Sequence, residues 1–287
     1  MLIQRLTIIG VGLIGGSLAR ALKREKVCGE VVGCGRNTVN LQHAIDLGVI
    51  DRYDTHPASA ASGADMVIVA VPLGTMSPIF AAIRETLASS HAIITDVGSA
   101  KATVVADARQ HLGQFFPHFV PAHPIAGTEK SGVAASYAEL FENHRVVLTP
   151  LPETDSRAVA LVTTMWEKTG ALVSQMSIEH HDKMLAATSH LPHLLAYSLV
   201  NTLAKMGDRA EIFSLAGGGF RDFTRIASSN PHMWHDICLA NKDAILKALK
   251  HFNNDLAEVA FALSKGDSQQ IESIFTSAKT ARDKFCG

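Results

Sequence analysis

The sequence predicts an α/β fold, with a doubly wound and mostly parallel sheet in residues 1–175 and an all-helical region over 176–287. Three observations predict it. Short, nearly continuous apolar runs alternate with helical patterns through the first part of the chain. A glycine-rich turn, GVGLIGG at 10–16, joins the first apolar run to the first helical pattern. From about residue 178 onward the apolar spacing is helical only.

The apolar runs are Leu6–Gly10, Val31–Gly35, Met66–Val71, Ala92–Thr95, Phe119–Ala122 and Arg145–Thr149. Each is rich in residues that pack on a pleated surface, and each stops at a glycine, proline or polar residue. A helix is expected from Ser17, and another over 155–170 after the proline-rich 150–152. Ala171–Ser174 reads as a last strand. Further on, Ile245, Leu249, Phe252, Leu256, Val259 and Leu263 recur alternately by four and three, the seam of one long helix over 233–264. A helix of that length suits packing across a dimer interface. A final helix is expected over 269–285, with Ile271, Ile274, Phe275, Ala278 and Phe285 on its apolar positions.

With 47% hydrophobic and 18% charged residues in a chain of 287, a sizeable core is expected. A formal net charge of -1 gives no electrostatic reason to bind nucleic acid or an anionic membrane. Cys28, Cys34, Cys238 and Cys286 form no CxxC pair and no zinc spacing, so buried free thiols are expected. The start, MLIQRLTIIG, lacks the order of a secretion signal, and no apolar stretch has the length of a membrane span. A cytoplasmic protein is the expectation.

GVGLIGG follows a predicted strand and opens a predicted helix, the context in which GxGxxG binds a dinucleotide in a Rossmann-type domain. Gly10 permits the tight turn, Gly12 admits the pyrophosphate, and Gly15 allows close helix–strand packing. Leu13 and Ile14 stand at the helix N-terminus, whose partial positive charge favours phosphate. Val71-Pro72, where the third apolar run ends, joins the expected cofactor contacts. NAD sites place an acid at the end of the second strand. Here that strand ends Gly35-Arg36-Asn37, and Arg36 would meet a 2′-phosphate. The expected cofactor is NADP, with NAD possible; a solvent-facing arginine is the simpler alternative.

Ligands in such sheets bind at the carboxyl ends of the strands, where Ser99 of DVGSAK (96–101) and His123 of HPIAGTEKSG (123–132) lie. A histidine there suits acceptance of a hydroxyl proton, and a serine suits holding the same hydroxyl. His190 and His193 in SHLPH are three apart on a predicted helix. No third ligand accompanies them, so no metal is expected, and a cap or substrate contact is preferred. Arg221 and Arg225 in GGGFRDFTRIA (217–227) are candidates for a carboxylate clamp, the alternative being a surface ion pair with Asp222.

In their order, GVGLIGGSLA, DVGSAK, HPIAGTEKSG, SHLPH and GGGFRDFTRIA resemble the prephenate/arogenate (cyclohexadienyl) dehydrogenase family of tyrosine biosynthesis, nearly end to end. The resemblance implies a nucleotide-binding domain followed by an all-helical dimerisation domain, a homodimer, and oxidative decarboxylation of a small cyclohexadienyl carboxylate. It implies His123 as base at the ring hydroxyl, with Ser99 assisting. It implies Arg225 on a substrate carboxylate, His193 in the pocket, and Thr128 and Glu129 at its entrance. A stand-alone enzyme is expected, without a fused mutase before Met1 or a regulatory domain after Gly287, so feedback by tyrosine would act at or near the active site. Arg36 departs from the acid of NAD-using members. Two rivals remain: a 3-hydroxyacid dehydrogenase, whose catalytic lysine Lys183 and Lys242 do not match in motif, and a dinucleotide sensor without catalysis.

Overall fold

The computed structural model describes residues 1–87 and 90–286, the Cys286 side chain excepted; the expectation of a buried thiol at Cys286 therefore lies outside the described residues. Two compact units divide the chain at Asn241, Met1–Asn241 and Lys242–Gly287.

In the first unit, strands β1 (Ile3–Ile9), β2 (Cys28–Cys34), β3 (Arg52–Asp54), β4 (Met66–Val69), β5 (Ile93–Asp96) and β6 (Phe119–Val120) form a parallel sheet. Its order is β3-β2-β1-β4-β5-β6. Helices α1 (Leu13–Arg24), α2 (Thr38–Asp46), α3 (Pro57–Ala61), α4 (Met76–Leu87) and α5 (Ala102–Leu112) follow the first five strands in turn, with β3 preceding α3. Alternate residues of β4 serve opposite cores. Met66 and Ile68 pack with Leu18, Leu22 and Trp166, whereas Val67 and Val69 pack with Phe80, Ile83 and Phe119. Burial on both faces explains why these strands read as unbroken apolar runs. Each large side chain so buried contributes about 2 kcal/mol.

A second sheet holds β7 (Ala122–Pro124), β8 (Arg145–Leu148) and β9 (Leu172–Gln175), with β7 antiparallel and β9 parallel to β8. α6 (Ser156–Glu167) precedes β9. The expected single strand Phe119–Ala122 is thus two, parted at Pro121. Proline has no N–H for a ladder, and the Pro121 carbonyl accepts the amide of Thr149 instead. The expected run Met66–Val71 stops at Val69, because Pro72 opens a 3₁₀ turn over Leu73–Thr75. β3 escapes the sequence reading because RYD is short and polar.

Helices α7 (Ile178–Leu185), α8 (Leu191–Ala204), α9 (Arg209–Ser214), α10 (Gly218–Thr224) and α11 (Pro231–Ala240) complete this unit. A π-helical turn over Ala186–His190 links α7 to α8. The single helix expected over 233–264 is two helices, α11 and α12 (Lys242–Lys265). Asn241 leaves helical geometry at φ -115° and ψ 30°. Its side-chain amide donates to the Asp182 carbonyl and approaches Nδ1 of His190 at 3.1 Å.

The second unit is α12 and α13 (Ser268–Cys286), joined at Gly266. Leu246, Leu256, Phe261, Leu263 and Phe275 remain exposed on it. Among the described residues no helix is long and apolar enough to cross a membrane.

Two glycines of the turn leave no room for a side chain. Gly10 has φ +103°, and a Cβ there would lie 2.2 Å from the Ala70 carbonyl oxygen; one on Gly15 would lie 2.3 Å from the Gly10 oxygen. A Cβ on Gly12 meets nothing within 4 Å. Gly10→Ala is therefore expected to lower Tm by roughly 5–10 °C and Gly12→Ala to leave it within about 2 °C. Equal melting shifts, read by calorimetry, would contradict this division.

Candidate active site

A cavity of about 630 Å³ opens at the carboxyl ends of β1, β4 and β5. One wall is the glycine turn, with Gly12, Leu13 and Ile14, joined by Val71 and Pro72. α1 begins here with Gly12 as its cap residue and no capping side chain, leaving backbone amides free for an anion. Asn40 donates to the Val11 carbonyl at 3.1 Å and pins the turn to α2. An open Gly12 between closely packed Gly10 and Gly15 fits a dinucleotide pyrophosphate. Gly10 and Gly15 shape this turn from beneath. Arg36 lies exposed just beyond β2, outside the cavity lining.

The opposite wall carries Ser99, His123, Thr128, Glu129, His193 and Arg225. Residues from four separate motifs thus meet in one place. His123, expected just past the end of the Phe119–Ala122 run, lies within β7, paired with Val147 of β8. Its ring is buried, 7% exposed. His123 Nδ1 lies 2.9 Å from His181 Nε2, and His181 Nδ1 lies 2.7 Å from Asp182 Oδ1. The two imidazoles meet edge to face.

This chain orders the protons. Asp182 is a carboxylate that accepts the amides of Lys101 and Ala102, so the His181 hydrogen facing it sits on Nδ1. Neutral His181 then offers a lone pair at Nε2, which accepts the His123 Nδ1 hydrogen. Nε2 of His123 is left with a lone pair. Burial would raise the Asp182 carboxyl, but hydrogen bonds from His181 and the two amides outweigh it and hold the group below the usual range. Burial drives His123 well below the ordinary imidazole value, and a proton on His181, Lys101 or His190 pushes it the same way. His190 is pushed down to about 4, again chiefly by burial.

Beneath the site, Lys101 Nζ donates to Asp96 at 2.5 Å and to the Ala122 carbonyl at 2.7 Å, all of it fully buried. Across the cavity His193 stacks on Trp234, ring centroids 3.6 Å apart at 19°. Arg225 reaches Glu129 at 3.4 Å in an exposed pair. Arg221 is exposed and outside the lining. Ligand atoms of His232, His235 and Asp236 lie within 4.8 Å of one another, with Asp236 also accepting the Gly74 amide.

Sequence reading passed over His181, Asp182, Asp96, Lys101 and Trp234. EHHD at 179–182 stands just ahead of SHLPH and offered a signal for the first two. Asp96 and Lys101 bracket Ser99 in DVGSAK.

Residues 18–175 match the family described as prephenate dehydrogenase, nucleotide-binding domain. Residues 177–277 match the one described as prephenate dehydrogenase, dimerization domain. The chain is 37% identical to a cyclohexadienyl dehydrogenase of Zymomonas mobilis, over 97% of this chain and 95% of that protein. It is 37% identical to the prephenate dehydrogenase of Bacillus subtilis, over 96% of this chain and 74% of the relative. The structure of prephenate dehydrogenase from A. aeolicus with hydroxyphenyl propionate and NAD+ matches at a TM-score of 0.91 and 38% identity, covering 98% of each chain. Synechocystis arogenate dehydrogenase matches at a TM-score of 0.77 and 26% identity, covering 98% of this chain and 100% of the other. With both halves matched and two relatives 37% identical along nearly the whole of this chain, it belongs to the prephenate dehydrogenase family.

Proposed function

We propose that the protein catalyses oxidative decarboxylation of prephenate, arogenate or both, giving 4-hydroxyphenylpyruvate from prephenate and tyrosine from arogenate. The observation that carries this reading is the buried His123–His181–Asp182 chain, which leaves a lone pair on His123 at a cavity bounded by a dinucleotide cradle. We read residues 1–175 as the dinucleotide-binding part and 176–287 as the helical part that contributes to substrate binding and to dimerisation.

The bound nicotinamide supplies the hydride acceptor. His123 takes the proton of the ring hydroxyl at Nε2, and Ser99 steadies that hydroxyl. His181 and Asp182 hold the imidazole in the right tautomer and spread the charge it gains. As the ring carbon loses hydride, the ring carboxylate leaves as carbon dioxide and aromatisation drives the step. Arg225 clamps a substrate carboxylate: its pair with Glu129 is exposed and screened, so a substrate anion exchanges for Glu129 at little cost. Thr128 and Glu129 border the entrance, and His193, stacked on Trp234, forms the far wall.

NADP is the proposed cofactor, with NAD also accepted, because Arg36 stands where an acid would repel a 2′-phosphate. The exposed apolar residues of α12 and α13 support a homodimer, since two helices alone cannot cover such faces.

A two-by-two assay of prephenate or arogenate, each with NAD or NADP, tests the reading; turnover in any combination supports it, and silence in all four sinks it. His123→Asn is expected to lower kcat by about 10²–10⁴ while dinucleotide affinity stays within about 2-fold. Because His123 is held low, kcat/KM should stay level through neutrality. It should fall only as acid protonates the imidazole, below about pH 6.5. An acid limb at or above that value would remove His123 from the role of base. Arg36→Ala should cut the NADP over NAD preference in kcat/KM by roughly 10-fold, and an unaltered ratio would refute the assignment.

A further inference from the structure

We propose that Lys101 is a positioning residue for this reaction: its buried ammonium, anchored on Asp96, clamps the Ala122 carbonyl and thereby fixes the place and the charge surroundings of His123. The proposal rests on the reading of His123 as proton acceptor.

The geometry joins four segments through one side chain and its own backbone. Lys101 Nζ bonds Asp96 at the end of β5 and the carbonyl of Ala122, the residue before His123 in β7. Asp96 answers with its other oxygen, accepting the Ala122 amide at 3.1 Å. Both polar groups of the Ala122 backbone are therefore held by the two members of one ion pair. The Lys101 amide meanwhile donates to Asp182 at 2.8 Å, and Asp182 orients His181 against His123. His123 is thus constrained from its backbone and from its ring by the same residue.

Asp96 accepts three hydrogen bonds, from Gly98, Ala122 and Lys101, as an ionised carboxylate would. Lys101 is its ammonium counter-charge, 0% exposed. A surface lysine would be screened by water, but a buried one acts on its neighbours at low dielectric. The groups facing His123 are His181 and Asp182 from α7, His190 from the π-turn, and the Asp96–Lys101 pair from beneath. Burial lowers the Lys101 ammonium, while the charge of Asp96 and its hydrogen bond work against that loss; as a cation Lys101 opposes protonation of His123. A base kept free of protons at rest is available to the substrate hydroxyl.

The test compares the wild type with Lys101→Met and with the charge-balanced double variant Asp96→Asn/Lys101→Met. Histidine ¹⁵N NMR titration, with His123 assigned through His123→Asn, reads the imidazole whether or not any substrate turns over. In Lys101→Met His123 is expected to titrate about 0.5–1 pH unit higher than in the wild type, and in the double variant, where the opposing Asp96 charge is lost as well, in the same direction by less. The acid limb of kcat/KM should move up with it, kcat should fall about 10- to 100-fold per folded enzyme, and substrate KM should change less than about 3-fold. If the single variant does not fold, the double variant supplies the measurement. An unmoved His123 titration in folded protein, or loss of fold in both variants, would overturn the proposal and leave Lys101 a purely structural residue. Wild type that turns over neither substrate while the titration shifts as expected would instead reject the dehydrogenase reading alone.

Discussion

Burial of two carboxylates under the cavity floor is the constraint on which the rest depends. Asp96 and Asp182 lie 0% and 6% exposed, and neither is near enough to water to be left unpaired. Stripping a buried charge of its partner costs about 3–5 kcal/mol, so each carboxylate dictates the placement of everything that satisfies it. For Asp182 those partners are the amides of Lys101 and Ala102, the cap and first residue of α5, and the ring of His181; for Asp96 they are Gly98, Ala122 and Lys101. Asp182 also caps α5 from another element, where the helix has no capping side chain of its own. Strand, helix and imidazole are therefore located by electrostatics before any ligand arrives.

The glycine turn obeys a different economy, one of space. Gly10 and Gly15 are fixed by backbone atoms closer than any Cβ tolerates, whereas Gly12 faces emptiness. The same motif thus separates what the fold needs from what a ligand needs. Around it the apolar cores on the two faces of the sheet hold the turn rigid, and Asn40 ties it to the neighbouring helix.

What was legible in the sequence was what is local. GVGLIGG could be read because strand, turn and helix start lie within about fifteen residues and sterics act at that range. Ser99 and His123 were legible as candidates because each follows an apolar run. The proton-ordering chain was not, since His181 is 58 residues from His123 and Asp182 is 81 from Lys101. Nothing in local spacing announces such pairings. Helix continuity across Asn241 failed for a similar reason: the apolar rhythm runs through it, but its side chain is drawn to Asp182 and His190 from outside the helix. The family resemblance supplied several residues that physics read from one chain would have left as surface arginines or ordinary histidines.

Pro121 is a single residue between a strand of one sheet and a strand of another. Side chains alternate along a strand, so a slip of one position exchanges the two faces. The joint therefore works as a reading frame. Substituting a neighbour changes a contact, but adding or removing one residue between Val120 and Ala122 would change which side chain β7 presents to the cavity. At this point in the molecule, the count of residues carries the information that elsewhere resides in their identity.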